Sequence, residues 1–198
     1  MWDQRYAAKE YIYGTEPNEF LHANTTLLPK TKVLCLADGE GRNSVYLASL
    51  GYDVTAVDNS KVGLEKAQQL AKAKGVKITT VQADLADYDL GTQKWHGIVS
   101  IFCHLPPLLR TDIHKKVHAA LITGGVFLLE AYTPKQLDFK TGGPPNTTLM
   151  MQSTDLAREL SPLRLDLNQE LVRDINEGSG HHGKGAVVQV IAVREDPT

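Results

Sequence analysis

The sequence predicts an α/β fold: a doubly wound, seven-stranded, mostly parallel sheet that closes with a C-terminal antiparallel hairpin. Three observations predict it. Short apolar runs alternate with helical patterns from residue 32 to residue 130. The links between them are short, which implies right-handed crossovers and helices on both faces. The last two apolar runs are joined directly by a polar, glycine-rich segment, and strands joined in that way pair antiparallel.

Each element has a local reason. Lys32–Leu36 (KVLCL) reads as a buried strand, and residues 42–50 as a short helix that Gly51 ends. Residues 53–57 (DVTAV) form the second strand. Ser60 suits the N-cap of the next helix, because its hydroxyl accepts from a free first-turn N–H. That helix carries Leu64, Ala67, Leu70, Ala71 and Lys74 on one side, and Gly75 stops it. Residues 77–81 are a third strand, rich in Ile, Thr and Val. Residues 97–102 (GIVSIF) are a fourth. Leu109, Ile113, Val117 and Leu121 then recur every four residues, which marks one helix face, with Gly124-Gly125 closing it. Residues 126–130 are the fifth strand. The strands are apolar along their length, as strands covered on both faces should be.

The C-terminal third changes character. Residues 133–152 are rich in Gly, Pro and Thr and read as an inserted loop, and residues 153–160 as a short helix. Leu165, Leu167, Leu171 and Ile175 mark a long strand. Residues 176–185 (NEGSGHHGKG) read as a turn, and residues 186–193 (AVVQVIAV) as the last strand.

The chain has 198 residues, which suits one domain spanning residues 1–198. Hydrophobic residues make up 42% and formal net charge is −2 at pH 7, so no broad basic field exists to hold a polyanion. Neither nucleic acid nor a membrane is expected as a partner. No apolar run nears the roughly 20 residues that span a bilayer. The opening MWDQRYAAKEYIYG lacks the basic-then-apolar layout of a secretion signal, so a cytoplasmic location is expected. Cys35 and Cys103 lie in apolar segments and are expected to be buried free thiols. The histidines show neither HExxH spacing nor a paired CxxC, so no metal is expected.

The chemistry-bearing motif is Ala37-Asp38-Gly39-Glu40-Gly41-Arg42-Asn43, after the first strand and opening a helix. Glycines there let backbone approach a ligand, and the helix start offers free N–H groups. Asp58 ends the second strand about twenty residues later, where a carboxylate can accept from ribose hydroxyls. The plain alternative is a tight turn with a capping Asp. Ser44 stands at the third small position of a dinucleotide loop, which permits that reading without requiring it.

The terminal hairpin resembles the sheet of class I S-adenosylmethionine (SAM)-dependent methyltransferases, a Rossmann-like fold. More closely, the chain resembles the tellurite-resistance type, related to thiopurine methyltransferases. The resemblance rests on Trp2-Asp3-x-Arg5-Tyr6, on Tyr13-Gly14-x-Glu16-Pro17-Asn18-x-Phe20-Leu21, and on Gly39-Glu40-Gly41-Arg42-Asn43. Asn176-Glu177-Gly178 through Val187-Val188-Gln189 is similar too. It implies SAM as cofactor and a small-molecule methyl acceptor, with a soft thiol or chalcogen as the nucleophile it suggests. Gly39 and Gly41 would pass close to the methionine part, with Ala37 and Arg42 beside them. Asp58 and Asn59 would hold the ribose. Asp84 and Leu85 would contact adenine, and Ile101 and Phe102 would lie under the cofactor. Cys35 stands where the family often has an acid and Ala37 where it has the first glycine, so Asp38 or Glu40 is left to meet the methionine ammonium.

Four residues are candidates for the transfer step. His104 follows the fourth strand at the edge where substrates bind, where it would orient an acceptor or take a proton; capping of the next helix is the alternative. His181 and His182 occupy the segment that approaches substrate in the resembling family, or else a solvated hairpin tip. Arg173 has a fork for an anionic substrate, or is a surface charge. The aromatic N-terminus (residues 1–24) is expected to act as a lid, and residues 133–160 to border the acceptor. A monomer or homodimer is expected. An NAD-binding oxidoreductase and a SAM-binding module without catalysis are the competing functions; the hairpin, Asp84 and the lack of a Tyr-x-x-x-Lys pair weigh against the former.

Overall fold

Alternation of apolar strands with amphipathic helices produces one sheet in the computed structural model, which describes residues 1–196. The strands are β1 (Lys32–Leu36), β2 (Asp53–Asp58), β3 (Thr79–Gln82), β4 (Trp95–Ile101), β5 (Leu121–Tyr132), β6 (Arg164–Glu177) and β7 (His181–Val193). Their order is β3-β2-β1-β4-β5-β7-β6. The first five pair in parallel, and β7 enters antiparallel between β5 and β6. The helices are α1 (Trp2–Arg5), α2 (Glu19–Asn24), α3 (Arg42–Ser49), α4 (Lys61–Ala73), α5 (Pro107–Ala120) and α6 (Ser153–Glu159). None is long and apolar enough to cross a membrane, among the described residues.

The two-residue period of a strand divides the core between the sheet's faces. Leu34 and Leu36 of β1 join Ile113 and Val117 of α5 and Leu156 of α6. Val33 and Cys35 join Leu47 of α3, Ala67 and Leu70 of α4, and Phe20 and Leu21 of α2. Strand order reverses at β1, so the crevice between β1 and β4 opens where their carboxyl ends diverge. Both cysteines are buried free thiols.

Several boundaries differ from the sequence expectation. Leu121 is not on the helix; α5 ends at Ala120 and Leu121 pairs with Trp95 as the first residue of β5. Gly124 and Gly125 lie inside β5, at the irregularity where its register on β4 shifts. The third strand starts later, at Thr79, and the fourth earlier, at Trp95. The largest correction is the hairpin. The turn is confined to residues 178–180 rather than 176–185: β6 runs to Glu177, β7 starts at His181, and pairing continues to the Glu177–His181 pair. Glycine here serves close packing within a strand. A Cβ on Gly185 would lie 2.2 Å from Ile175 Cδ1, and one on Gly183 would lie 2.7 Å from Thr141 Cγ2.

A buried ionic cluster joins the two ends of the chain. Glu130 of β5, with no exposed surface, accepts from Asn18 Nδ2 at 2.6 Å, Gln189 Nε2 at 2.9 Å and Arg173 Nε and Nη2 at 2.7 and 2.8 Å. Glu177 of β6 accepts from Asn18 Nδ2 at 2.8 Å and from Arg42 Nη2 at 2.6 Å. Asn18 also caps α2 through Leu21 N–H, and its own N–H donates to Asn43 Oδ1 at 2.9 Å. Arg173 is thus neither a surface charge nor a free anion receptor, because its guanidinium is spent on Glu130, Glu177 and Glu19.

Two substitutions probe this packing. Gly41 has φ +88°, and a Cβ there would meet Ala67 Cβ at 2.5 Å. Gly41→Ala is expected to lower unfolding free energy by about 3 kcal/mol in urea titration, from left-handed backbone strain plus overpacking. Arg173→Ala leaves Glu130 buried without its cation and is expected to cost roughly 3–5 kcal/mol in the same assay.

Candidate functional site

The carboxyl ends of β1, β2 and β4, together with α1, enclose a cavity of about 330 Å³. Eight of the ten residues expected at a cofactor line it: Ala37, Arg42, Asp58, Asn59, Asp84, Leu85, Ile101 and Phe102. Gly39 and Gly41 do not. Their missing side chains face protein: a Cβ on Gly39 would lie 2.6 Å from the Tyr6 hydroxyl, and Gly41 packs on Ala67 of α4. The glycines are needed to bend the chain between α1 and α4.

Ala37 and Phe102 immediately follow the neighbouring strands β1 and β4, and both have positive φ, +47° and +50°. Ala37 therefore takes, at a steric cost, the left-handed backbone that a glycine would take freely. Such conformations in non-glycine residues cluster at ligand sites, and here both line the cavity.

Acids dominate one end. Asp58 accepts from Gly39 N–H and Ser60 N–H, both at 2.8 Å, and burial raises its pKa. Asp38 accepts from Ser44 Oγ at 2.5 Å. Burial, aided by the nearby Asp58 charge, pushes its pKa up to about 7. Asp84 is exposed on the rim and accepts from Ala86 N–H at 2.9 Å. Glu40 also reaches the cavity wall, but its carboxylate is spent on Lys66 and on Ile12 N–H. Of the two acids expected to meet an ammonium group, only Asp38 remains free to do so. Arg42 offers the complementary charge: Nη2 binds Glu177, while Nη1 is buried with no partner among the described residues.

The other end is aromatic. Phe102, Tyr13 and His181 stand ring against ring, with centroids 4.5 Å apart for both His181 contacts. His181 is buried, its Nδ1 lies 3.8 Å from Glu177, too far for a hydrogen bond, and burial lowers its pKa. His104 also lines the cavity, yet both ring nitrogens face backbone: Nδ1 lies 3.0 Å from Leu149 O and Nε2 3.5 Å from Tyr132 N. Burial brings its pKa down to about 4. It ties the end of β4 to residues 147–149 and is poorly placed to take a proton. His182 is exposed and bonds Asn176 across the hairpin at 3.1 Å. Successive strand residues point oppositely, so only one of the two histidines can face the cavity. From the N-terminal segment, Trp2, Arg5, Tyr6 is joined by Tyr13 at the cavity, whereas Phe20 belongs to the core and Tyr11 packs over Lys66.

Sequence reasoning did not single out Asn18, Glu177 or Lys66 as site-building residues. Lys66 carried a signal, because it falls among Gly63, Ala67 and Leu70 on the buried side of α4. A charge inside an apolar stripe needs a partner.

Comparison with known proteins agrees with this geometry. Residues 33–125 match a family model described as a methyltransferase domain. Over 107 residues the chain is 30% identical to a carboxy-S-adenosyl-L-methionine synthase of Nautilia profundicola, covering 52% of this chain and 45% of that protein. Over 80 residues it is 32% identical to the probable S-adenosyl-L-methionine-dependent methyltransferase TehB of Haemophilus influenzae, covering 40% and 28%. The chain thus spans less than half the length of these curated relatives. The fold is similar to the crystal structure of Haemophilus influenzae TehB, with TM-score 0.72 and 21% identity over 98% of this chain and 66% of that one. It is also similar to a structure described for conversion of a disulfide bond into a thioacetal group during echinomycin biosynthesis, with TM-score 0.78 and 18% identity over 98% and 90%. Residues 33–125 are thus similar to a methyltransferase domain, and the chain as a whole shares the fold of these two structures.

Proposed function

We propose that this chain binds SAM in the cavity between α1 and the carboxyl ends of β1, β2 and β4, and catalyses methyl transfer to a small-molecule acceptor. One observation carries the reading: Asp38, Asp58, Asp84 and Arg42, whose Nη1 is buried with no partner among the described residues, line a single cavity. A buried guanidinium N–H without a partner is costly, and a ligand carboxylate would satisfy it. Arg42 and Asp38 thereby suit the two charges of an amino acid group. Asp58 and Asn59 suit ribose hydroxyls, and Asp84 and Leu85 suit an adenine edge.

When bound, SAM supplies a methyl group activated on a sulfonium. The chain's own part is alignment and exclusion of water, which can supply several kcal/mol. Trp2, Tyr6 and Tyr13 form an aromatic cover suited to a sulfonium, in the manner of cation–π contacts. This supports a lid role for the N-terminal segment. At the acceptor end, Phe102, Pro144, Pro145, Leu149 and His181 make a largely apolar wall. His104 cannot serve as a strong base, His182 lies outside, and Arg173 is spent. His181 alone of the four candidates lines the cavity with no ring-nitrogen hydrogen bond among the described residues, and it orients the acceptor or takes its proton. A site so poor in bases favours a nucleophile that needs little activation, such as a thiol or chalcogen.

Calorimetric titration is expected to give saturable SAM binding with a Kd of about 1–100 μM, in the range of ordinary enzyme substrates, with no competition from NADH. Absence of heat at about 1 mM SAM overturns the proposal. Proton linkage gives a second test. A raised Asp38 pKa means that folding holds a proton on this group up to about pH 7, so its ionisation detracts from stability as pH rises toward that value. A ligand ammonium reverses the preference and expels the proton. SAM affinity is therefore expected to rise about tenfold from about pH 5.5 to about pH 7, and Asp38→Asn to flatten that slope while weakening binding at pH 7.

A further inference from the structure

Lys66 is a buried cation for which neither the fold nor the proposed chemistry has yet needed a charge. It projects from α4, with side-chain exposure of 9%. Its ammonium donates to Glu10 O at 2.7 Å, Ala8 O at 2.9 Å and Tyr6 O at 3.4 Å, and ion-pairs with Glu40. The Tyr11 ring stands 4.9 Å from Nζ, and the Tyr11 hydroxyl donates to Lys66 O at 3.0 Å. Glu40 completes the clasp by accepting from Ile12 N–H at 2.9 Å. Residues 7–10 are exposed and form neither helix nor strand. Two side chains thus bond four backbone groups of a seven-residue stretch that has little structure of its own.

The stretch matters because of what flanks it. Trp2, Arg5 and Tyr6 on one side and Tyr13 and Gly14 on the other line the cavity. Glu40 sits between Gly39 and Gly41, in the loop that carries Asp38 and Arg42. A Cβ on Gly63, one helical turn before Lys66, would lie 3.0 Å from Gly39 O and 3.1 Å from Tyr6 Cδ2, so α4, the loop and Tyr6 already touch. A compact ammonium with three donors fits several converging carbonyls and one carboxylate better than a planar guanidinium does.

We propose that Lys66 is a positioning residue for SAM binding: through Glu40 and the carbonyls of residues 6–10 it holds the aromatic cover and the glycine loop in one arrangement. Lys66 touches no ligand in this scheme. It acts through Tyr6, Tyr13 and the loop, and the proposal rests on the SAM site described above. Its loss frees the segment, and ligand binding must then order the cover at its own expense.

The test compares wild type, Lys66→Met and Lys66→Met/Glu40→Gln. The single variant leaves Glu40 buried without a cation and is prone to unfold; the double variant removes both charges at similar volume. In the ligand-free double variant, amide exchange at residues 6–12 is expected to accelerate by about tenfold or more, while the strands keep their protection. KM for SAM is expected to rise about tenfold with kcat at saturation within about threefold, as for loss of an ordering contact. Trp2 emission is expected to respond to SAM in wild type and to respond only at higher concentration in the double variant. An unchanged KM, or unchanged exchange at residues 6–12, overturns the positioning role. Exchange is read without ligand, so a wild type that binds no SAM overturns the proposed function and the positioning role with it, while faster exchange still identifies the clasp as structural.

Discussion

Glu130 and Glu177 sit on the last strands of the sheet, sealed from water, and a carboxylate so placed persists only where cations and N–H groups surround it. The groups that answer them come from distant parts of the chain. Asn18 arrives from the N-terminal segment, Arg42 from the first turn of α3, Arg173 from β6 and Gln189 from β7. Satisfying two buried acids therefore joins the N-terminal segment, the glycine loop and the hairpin around one edge of the cavity. Arg42 is the hinge of this arrangement. One of its terminal nitrogens belongs to the cluster and the other has no partner among the described residues, so the same side chain is fixed by the fold and lines the cavity.

The polarity of the cavity follows from where its walls come from. Acids collect at the ends of β1 and β2 and after β3, where loops leave parallel strands and backbone N–H groups are free to bind carboxylates, as at Asp58. The opposite wall is built from the end of β4, the start of β7 and residues 143–149, and is aromatic and apolar. Its histidines are governed by burial. His104 is held neutral and bonded at both ring nitrogens, which makes it a brace for the loop above it. His181 is packed among rings yet keeps one nitrogen without a partner.

The sequence departures around the loop find their explanation in packing. Where the methyltransferases that the sequence resembles often have a first glycine, Ala37 accepts the left-handed backbone with φ +47°, a modest strain for the smallest side chain that has a Cβ. Gly39 and Gly41 were legible as a ligand loop, but their constraint is contact with Tyr6 and Ala67. The close approach is between protein elements, and the cavity-lining groups are their neighbours Asp38 and Arg42.

Periodicity, glycine punctuation and the spacing from the loop to Asp58 were local properties, and from them the sequence by itself determined the strand–helix alternation, the parallel sheet with its terminal hairpin, and most of the residues that line the cavity. The tertiary structure alone decided which charges are free. Arg173 and Arg42 look alike in the chain, as do His181 and His182, yet one arginine is consumed by Glu130 while the other keeps a nitrogen unpaired, and one histidine faces inward while its neighbour faces solvent. Glycines at 183 and 185 imitated a turn because composition does not distinguish a bend from a close strand contact with Thr141 or Ile175. Pairing between residues more than a hundred positions apart, as between Asn18 and Glu130, leaves no periodic trace, because it depends on three-dimensional proximity that only the assembled sheet creates.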